Sequence, residues 1–218
     1  MSFNLFHKIQ DIFSPILSDR SIIRYNKTGL LIKQKILPHQ LQPNSVDLTL
    51  GNSWKTLKHN SSLYYDNVID PRKKSIYESG KFEFGIIKDI NSNSNDKNEV
   101  FERYILRPYE FVLMASNEIL NIPNGIVSLV CGRSSIARLA VQTEQAGFID
   151  AGFYGTITFE VYNQSGYPII LYPGMRIAQV YFLRAQRAEK IYGADKGSKY
   201  NMQMLATESR IHLDSEFK

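Results

Sequence analysis

An all-β fold with short helices near the N-terminus is what this sequence predicts, on three observations. From Leu30 onward the chain is written in short β-branched and aromatic runs. Pro, Gly and Asn punctuate those runs at strand-like intervals. Helical periodicity is confined to the part before Gly29.

In chain order, Leu5, Phe6, Ile9, Ile12, Phe13 and Ile16 fall at helical spacing and predict a short amphipathic helix over Ser2–Ile16, disturbed by Pro15. His7, Lys8, Gln10 and Asp11 interrupt its apolar residues, so it lacks the continuous apolar region of a secretory signal and reads as an extension packing on the body or on another subunit. Residues 17–218 are read as a single domain. A second helix is expected from Ser18 or Asp19, either of which can cap it, towards Gly29. Strands are expected at Ser45–Leu50, Ser53–Lys58, Tyr104–Leu106, Phe111–Ser116, Gly125–Cys131, Thr156–Tyr162, Ile169–Leu171 and Arg176–Leu183. Asn91–Asn98 reads NSNSNDKN, too polar to bury, and is expected to be a surface loop.

Composition narrows the function. With 218 residues and 43% hydrophobic content, the chain can hold a core without disulfides or a structural metal. Its one cysteine, Cys131, cannot form an internal bridge, which points to a reducing cytoplasm, or a host's cytoplasm for a viral protein. No apolar run approaches a membrane span. The 26 Lys+Arg outnumber the 21 Asp+Glu. They are scattered, and no nucleic-acid motif accompanies them, so a small polyphosphate ligand suits the charge better than DNA or RNA.

The informative residues begin where an apolar strand ends. CGRSSIAR places Arg133, Ser134, Ser135 and Arg138 within one turn of chain, a concentration of guanidiniums, hydroxyls and backbone N–H groups suited to oxyanions. The plain alternative is that Ser134-Ser135 cap a short helix. In AGFIDAGFYGTITFEVYN, two Gly-containing turns bracket Asp150 and lead into an alternating strand. There Thr156, Thr158, Glu160 and Tyr162 share one face, with Ile157, Phe159 and Val161 on the other. A carboxylate such as Glu160 near fixed donors is an ordinary general acid/base arrangement. Downstream, Gln179 is the polar amide inside YPGMRIAQVYF, and IYGADKGSKYNMQ offers Tyr192, Lys199, Tyr200 and Gln203 in a polar, Gly-containing segment able to fold over a phosphate.

Several chemistries are unsupported. With one cysteine and no histidine between His59 and His212, a zinc deaminase site cannot be assembled from this central region. Walker, dinucleotide and nucleophile-elbow motifs are also missing.

Taken in order, GRSSIAR, AGFIDAGFYGTITFE, PGMRIAQ and YGADKGSKYNMQ resemble the dCTP deaminase branch of the dCTP deaminase/dUTPase superfamily. LSDRSI, QPNSVDLTLGN and LRPYEFVLMASNEILNIP extend the resemblance from about Leu17 to Gln203. It implies a distorted jelly-roll, dUTPase-like β-fold in a homotrimer with active sites at subunit interfaces, deaminating dCTP to dUTP without zinc. Glu160 would be the general base, with Ser134 and Arg138 holding the water and stabilising developing charge. Arg133, Ser134 and Ser135 would take triphosphate oxygens, with Ile136 and Ala137 in the same binding turn. Asp150 would contact the sugar, and Thr158, Phe159 and Glu160 would line the pyrimidine pocket. Gln179, Tyr192, Lys199 and Gln203 would close over the phosphates, which Mg²⁺ bridges, and dTTP is a candidate regulator. Gln145 departs from the pattern, standing where many relatives place threonine. The alternatives are a bifunctional enzyme forming dUMP and pyrophosphate, which AGFIDAGF also resembles, and a non-catalytic nucleotide-binding member.

Overall fold

A computed structural model describes residues 14–57, 69–74, 77–87, 99–143, 146–194 and 198–217. The expected helix over Ser2–Ile16 lies largely outside them, as do the Asn91–Asn98 loop and Gln145. Helix α1, Asp19–Asn26, presents Ile22 to the core and follows Ser18. The cap differs from expectation: the Ser18 side chain makes no capping bond, and the Asp19 carboxylate accepts from the Arg20 N–H instead.

Strands then follow one another: β1 Leu31–Ile32, β2 Val46–Leu57, β3 Tyr77–Lys81, β4 Glu83–Ile87, β5 Glu99–Leu106, β6 Phe111–Asn121, β7 Ile126–Gly132, β8 Val141–Gln142, β9 Phe148–Ile149, β10 Tyr154–Asn163, β11 Ile169–Leu171 and β12 Arg176–Arg184. The sequence does not predict β1, β3, β4, β8 or β9, and it marks only the end of β5. Helix α2, Ser134–Ala137, separates β7 from β8. The main sheet runs β8-β10-β6-β2-β12-β7-β9, with β1 on β6 and β3 on β2, and a smaller sheet runs β11-β5-β4. The jelly-roll expectation holds in its main terms: the strands pair antiparallel and the helices are few and short. Leu48, Leu50, Met114, Phe159, Val180 and Phe182 are completely or almost completely buried between the layers.

The two strands expected at Ser45–Leu50 and Ser53–Lys58 are one strand, β2, with a register shift between Leu50 and Trp54. The Gly51-Asn52 pair reads as a turn in sequence but is spanned by an irregular stretch of ladder, a use of bulges that leaves the pairing intact on both sides. In its first half β2 is buried on both faces. Asp47 and Thr49 are therefore polar side chains without water, and each must find partners. Thr49 finds Glu118: the carboxylate accepts from the Thr49 N–H at 2.8 Å, the Thr49 hydroxyl at 2.6 Å and the Gln40 amide at 2.7 Å. The partners of Asp47 are described below.

Candidate active site

A cavity of about 490 Å³ opens beside β10, a size suited to a small organic ligand. Its wall brings together Asp150, Thr158, Glu160, Tyr192 and Gln203, five of the residues singled out in the sequence, among the apolar side chains of Phe111, Leu113, Phe153 and Ile157.

A bulge sets the faces of β10. The register against β6 shifts between Thr156 and Thr158, so strict alternation fails there. Thr156 is buried and does not line the cavity, whereas Ile157 lines it together with Thr158 and Glu160. This corrects the expectation that Thr156 shares the face of Thr158 and Ile157 that of Phe159. The Ile157 N–H at the irregularity donates to the Ser116 hydroxyl at 2.9 Å, and that hydroxyl donates to the Glu118 carbonyl at 2.7 Å. Below the bulge alternation resumes, with Phe159 and Val161 completely buried. Phe159 is thus a core residue whose side chain cannot line a base pocket.

Asp150 comes from the β7–β9 side, where the Val130 N–H donates to the Gly147 carbonyl at 2.8 Å. The following turn carries Phe153 into the wall, its ring 6.0 Å from that of Tyr192. Tyr192 is held there by its N–H, which donates to the Ala151 carbonyl at 2.8 Å.

The C-terminal segment lies along β10 and completes the wall. The Met202 N–H donates to the Tyr154 carbonyl at 2.6 Å, the Thr156 N–H to the Gln203 carbonyl at 2.8 Å, and the Gln203 amide to the Thr156 carbonyl at 2.8 Å. Further on, the Thr207 N–H donates to the Thr158 hydroxyl at 3.1 Å. Gly155 permits this approach: at φ +148° it takes a backbone conformation that L side chains rarely adopt, and a Cβ there would lie 2.6 Å from the Gln203 carbonyl oxygen. Two ion pairs anchor the segment. Lys55 pairs with Glu208, and its hydrogen bond holds the Glu208 carboxyl below the usual carboxylate range. Lys199 pairs with Asp214 at 2.5 Å, and that hydrogen bond raises the lysine above its ordinary value. Lys199 is therefore not among the cavity-lining residues, while Tyr200, Thr207, Glu208 and Ser209 are. Sequence reasoning did not select the last three, because an irregular segment has no periodicity to show which residues face a cavity. The segment at 195–197, predicted to be part of a phosphate-covering loop, lies outside the described residues.

The remaining predicted residues form a second group. In α2, Arg133 occupies the cap position, so Ser134 and Ser135 stand in the first turn rather than capping it. Ile136 anchors this turn in the core, and Ser134, Ser135, Ala137 and Arg138 are exposed. Gln179 lies directly between Asp47 of β2 and Cys131 of β7 in the ladder. Directly opposed residues share a sheet face, so Asp47, Gln179 and Cys131 make one row that leads to Arg133. Arg133–Arg138 and Gln179 are not among the cavity-lining residues.

The two groups are electrically complementary. The cavity wall includes the carboxylates Asp150, Glu160 and Glu208, with no Lys, Arg or His among its lining residues. The second group supplies the guanidiniums and hydroxyls. The hard oxygen donors of the cavity suit a Mg²⁺ ion carried by phosphate oxygens, which needs one or two carboxylates rather than a complete protein cage. Among the described residues no three His, Cys, Asp or Glu cluster to hold a metal by themselves.

Comparison with known proteins identifies the family of the chain. The dCTP deaminase-like family profile matches residues 16–185. The chain is 39% identical over 202 residues to a protein of Sulfurihydrogenibium sp. named dCTP deaminase, dUMP-forming, covering 92% of this chain and 99% of the relative. A protein of the same name from Dictyoglomus thermophilum is 39% identical over 203 residues, covering 91% and 96%. One from Methanobrevibacter smithii is 37% identical over 207, covering 93% and 98%. Among solved structures, the fold is similar to that of 2'-deoxycytidine 5'-triphosphate deaminase from Agrobacterium tumefaciens, with TM-score 0.56 and 19% identity over 78% of this chain. The match spans 48% of that other chain. With a family match across most of its length and relatives above one-third identity over nearly all of it, the chain belongs to the dCTP deaminase-like family.

Proposed function

We propose that this protein is a homotrimeric dCTP deaminase that releases dUMP and pyrophosphate. The observation that carries the reading is the shared cavity of Asp150, Thr158, Glu160, Tyr192 and Gln203. Glu160 takes a proton from a water as its oxygen attacks C4 of cytosine. The C4–N bond then breaks, and the proton passes from Glu160 to the departing ammonia. Thr158 and the apolar wall seat the base, and Asp150 faces the sugar. In the second step a water attacks the α-phosphorus, and the bond to the β-phosphate breaks. Mg²⁺ bound through the phosphates, with Asp150 as an oxygen donor within reach, would neutralise charge on the leaving pyrophosphate.

The charge distribution supports a neighbouring copy at each site. A triphosphate entering this cavity meets carboxylates and no Lys, Arg or His among the described lining residues, which favours cationic partners from another surface. Arg133, Ser134, Ser135, Arg138 and Gln179 of a neighbouring copy supply them, so each site joins the cavity of one subunit to the basic turn of the next. The outward row of Tyr181, Leu183, Val127 and Leu129, with Phe148 59% exposed beside Leu129, gives this interface an apolar centre. The names of the relatives favour dUMP as product over dUTP, the simpler reading of the sequence.

The test is to incubate the protein with dCTP and Mg²⁺, with dUTP in parallel, and to separate the products by ion exchange. The expected result is dUMP and pyrophosphate from dCTP. Accumulation of dUTP would make the enzyme a deaminase alone, and untouched dCTP would overturn the assignment. Glu160→Gln is expected to abolish deamination while retaining dCTP binding.

A further inference from the structure

Asp47 is 3% exposed in its side chain and has two cationic partners from different parts of the chain. Its Oδ2 pairs with Arg133 Nε at 3.3 Å and with Arg176 Nη1 at 3.0 Å. The Gln42 amide donates to the same oxygen at 3.5 Å. Arg176 Nη1 also donates to the His39 carbonyl at 2.7 Å, and Arg133 Nη1 to the Arg176 carbonyl at 3.3 Å. An ion-pair contact at Nε and a hydrogen bond from Nη1 restrict the orientation of the Arg133 guanidinium and leave Nη2 available to a further acceptor. Two guanidiniums on one carboxylate also leave a net positive charge at this place. Here the buried carboxylate sits in the ladder row that carries Gln179 and leads to the α2 turn.

We infer that Asp47 is a positioning residue that orients the Arg133 guanidinium for a phosphate oxygen of the substrate. This rests on the reading of Arg133 as a phosphate ligand given above. Asp47 does not touch the substrate, and acts by fixing the fork of Arg133 and returning only part of the positive charge it gathers.

The experiment is a double-mutant cycle read by calorimetric binding of inorganic tripolyphosphate with Mg²⁺ to the full-length protein, with dCTP kinetics alongside. Arg133→Ala is expected to weaken tripolyphosphate binding by about tenfold or more, as loss of a charge-assisted bond does. Asp47→Asn is expected to weaken it by about fivefold or more and to raise KM for dCTP far more than it lowers kcat. In the Arg133→Ala background, Asp47→Asn is expected to add less than twofold. Asp47→Glu, which keeps the charge, is expected to recover most of the affinity. Independent, multiplying effects of the two substitutions would overturn the proposal, as would unchanged affinity in Asp47→Asn. Loss of the folded state in Asp47→Asn with no recovery in Asp47→Glu would also overturn it, making the carboxylate a pillar of the fold. Unchanged affinity in Arg133→Ala itself would instead refute the phosphate reading on which the inference rests.

Discussion

Replacing Ser116 with alanine tests whether one buried hydroxyl holds the bulge that shapes the cavity. Ser116 is 3% exposed, accepts the Ile157 N–H at 2.9 Å and donates to the Glu118 carbonyl at 2.7 Å. Each bond contributes about 1 kcal/mol net, and a buried N–H left without an acceptor costs about 1–3 kcal/mol. The cavity beside Ile157 lets water compensate in part, so the expected loss is about 3 kcal/mol. For a chain of this length that lowers Tm by about 6–12 °C. Scanning calorimetry measures the shift, and dCTP turnover at 25 °C reports whether Ile157 and Thr158 keep their places. Activity is expected to fall several-fold even where the protein is fully folded. Ser128 supplies the control: it is completely buried and its hydroxyl has no partner among the described residues. Ser128→Ala removes a hydroxyl that gains nothing, so Tm should hold or rise. Equal shifts in the two variants would refute the reasoning, because burial rather than hydrogen bonding would then decide the cost.

Gly155→Ala should lift the C-terminal segment from β10, since its Cβ would fall 2.6 Å from the Gln203 carbonyl oxygen at a φ of +148°. A several-fold rise in KM for dCTP and faster proteolysis after Lys199 are the expected readouts. The same segment should have a pH window. Lys55 depresses the Glu208 carboxyl, so that contribution is present above the ordinary glutamate value near 4.3 and is lost as pH falls through the depressed folded value. Asp214 raises Lys199, so its contribution is present below the ordinary lysine value near 10.4 and is lost as pH rises through the raised folded value. Hydrogen-exchange protection of the Thr207 amide should therefore persist between about pH 5 and 10 and fall on the acid side. Protection that does not fall on acidification through the depressed Glu208 value would refute the role of the Lys55–Glu208 pair. Light scattering should report three copies in solution; a stable monomer with full activity would remove the need for a neighbour's arginines.

The sequence by itself determined that this is an antiparallel β-protein, located most of its strands, and marked Arg133–Arg138 and Asp150–Glu160 as candidate site residues. Those features are local. Strand propensity, turn residues and clustered functional groups are written in neighbouring positions, and no distant contact is needed to see them. Tertiary structure decided what depends on partners far along the chain. A serine forty-one positions away accepts the N–H of the β10 irregularity and so decides which of Thr156 and Ile157 faces the cavity. Pairing with β6 on both sides of the irregularity, Leu50 with Ser116 and Trp54 with Met114, turns an apparent break into one continuous β2. Thr207, Glu208 and Ser209 join the site through contacts with β10 and β2, which no periodicity encodes. Asp47 reads in sequence as an alternating strand residue, and becomes the anchor of two arginines only when β7, β12 and β2 lie side by side. Pattern is carried by covalent neighbours, whereas the cost of burying a charge or an N–H is met by whatever the fold brings within hydrogen-bonding distance.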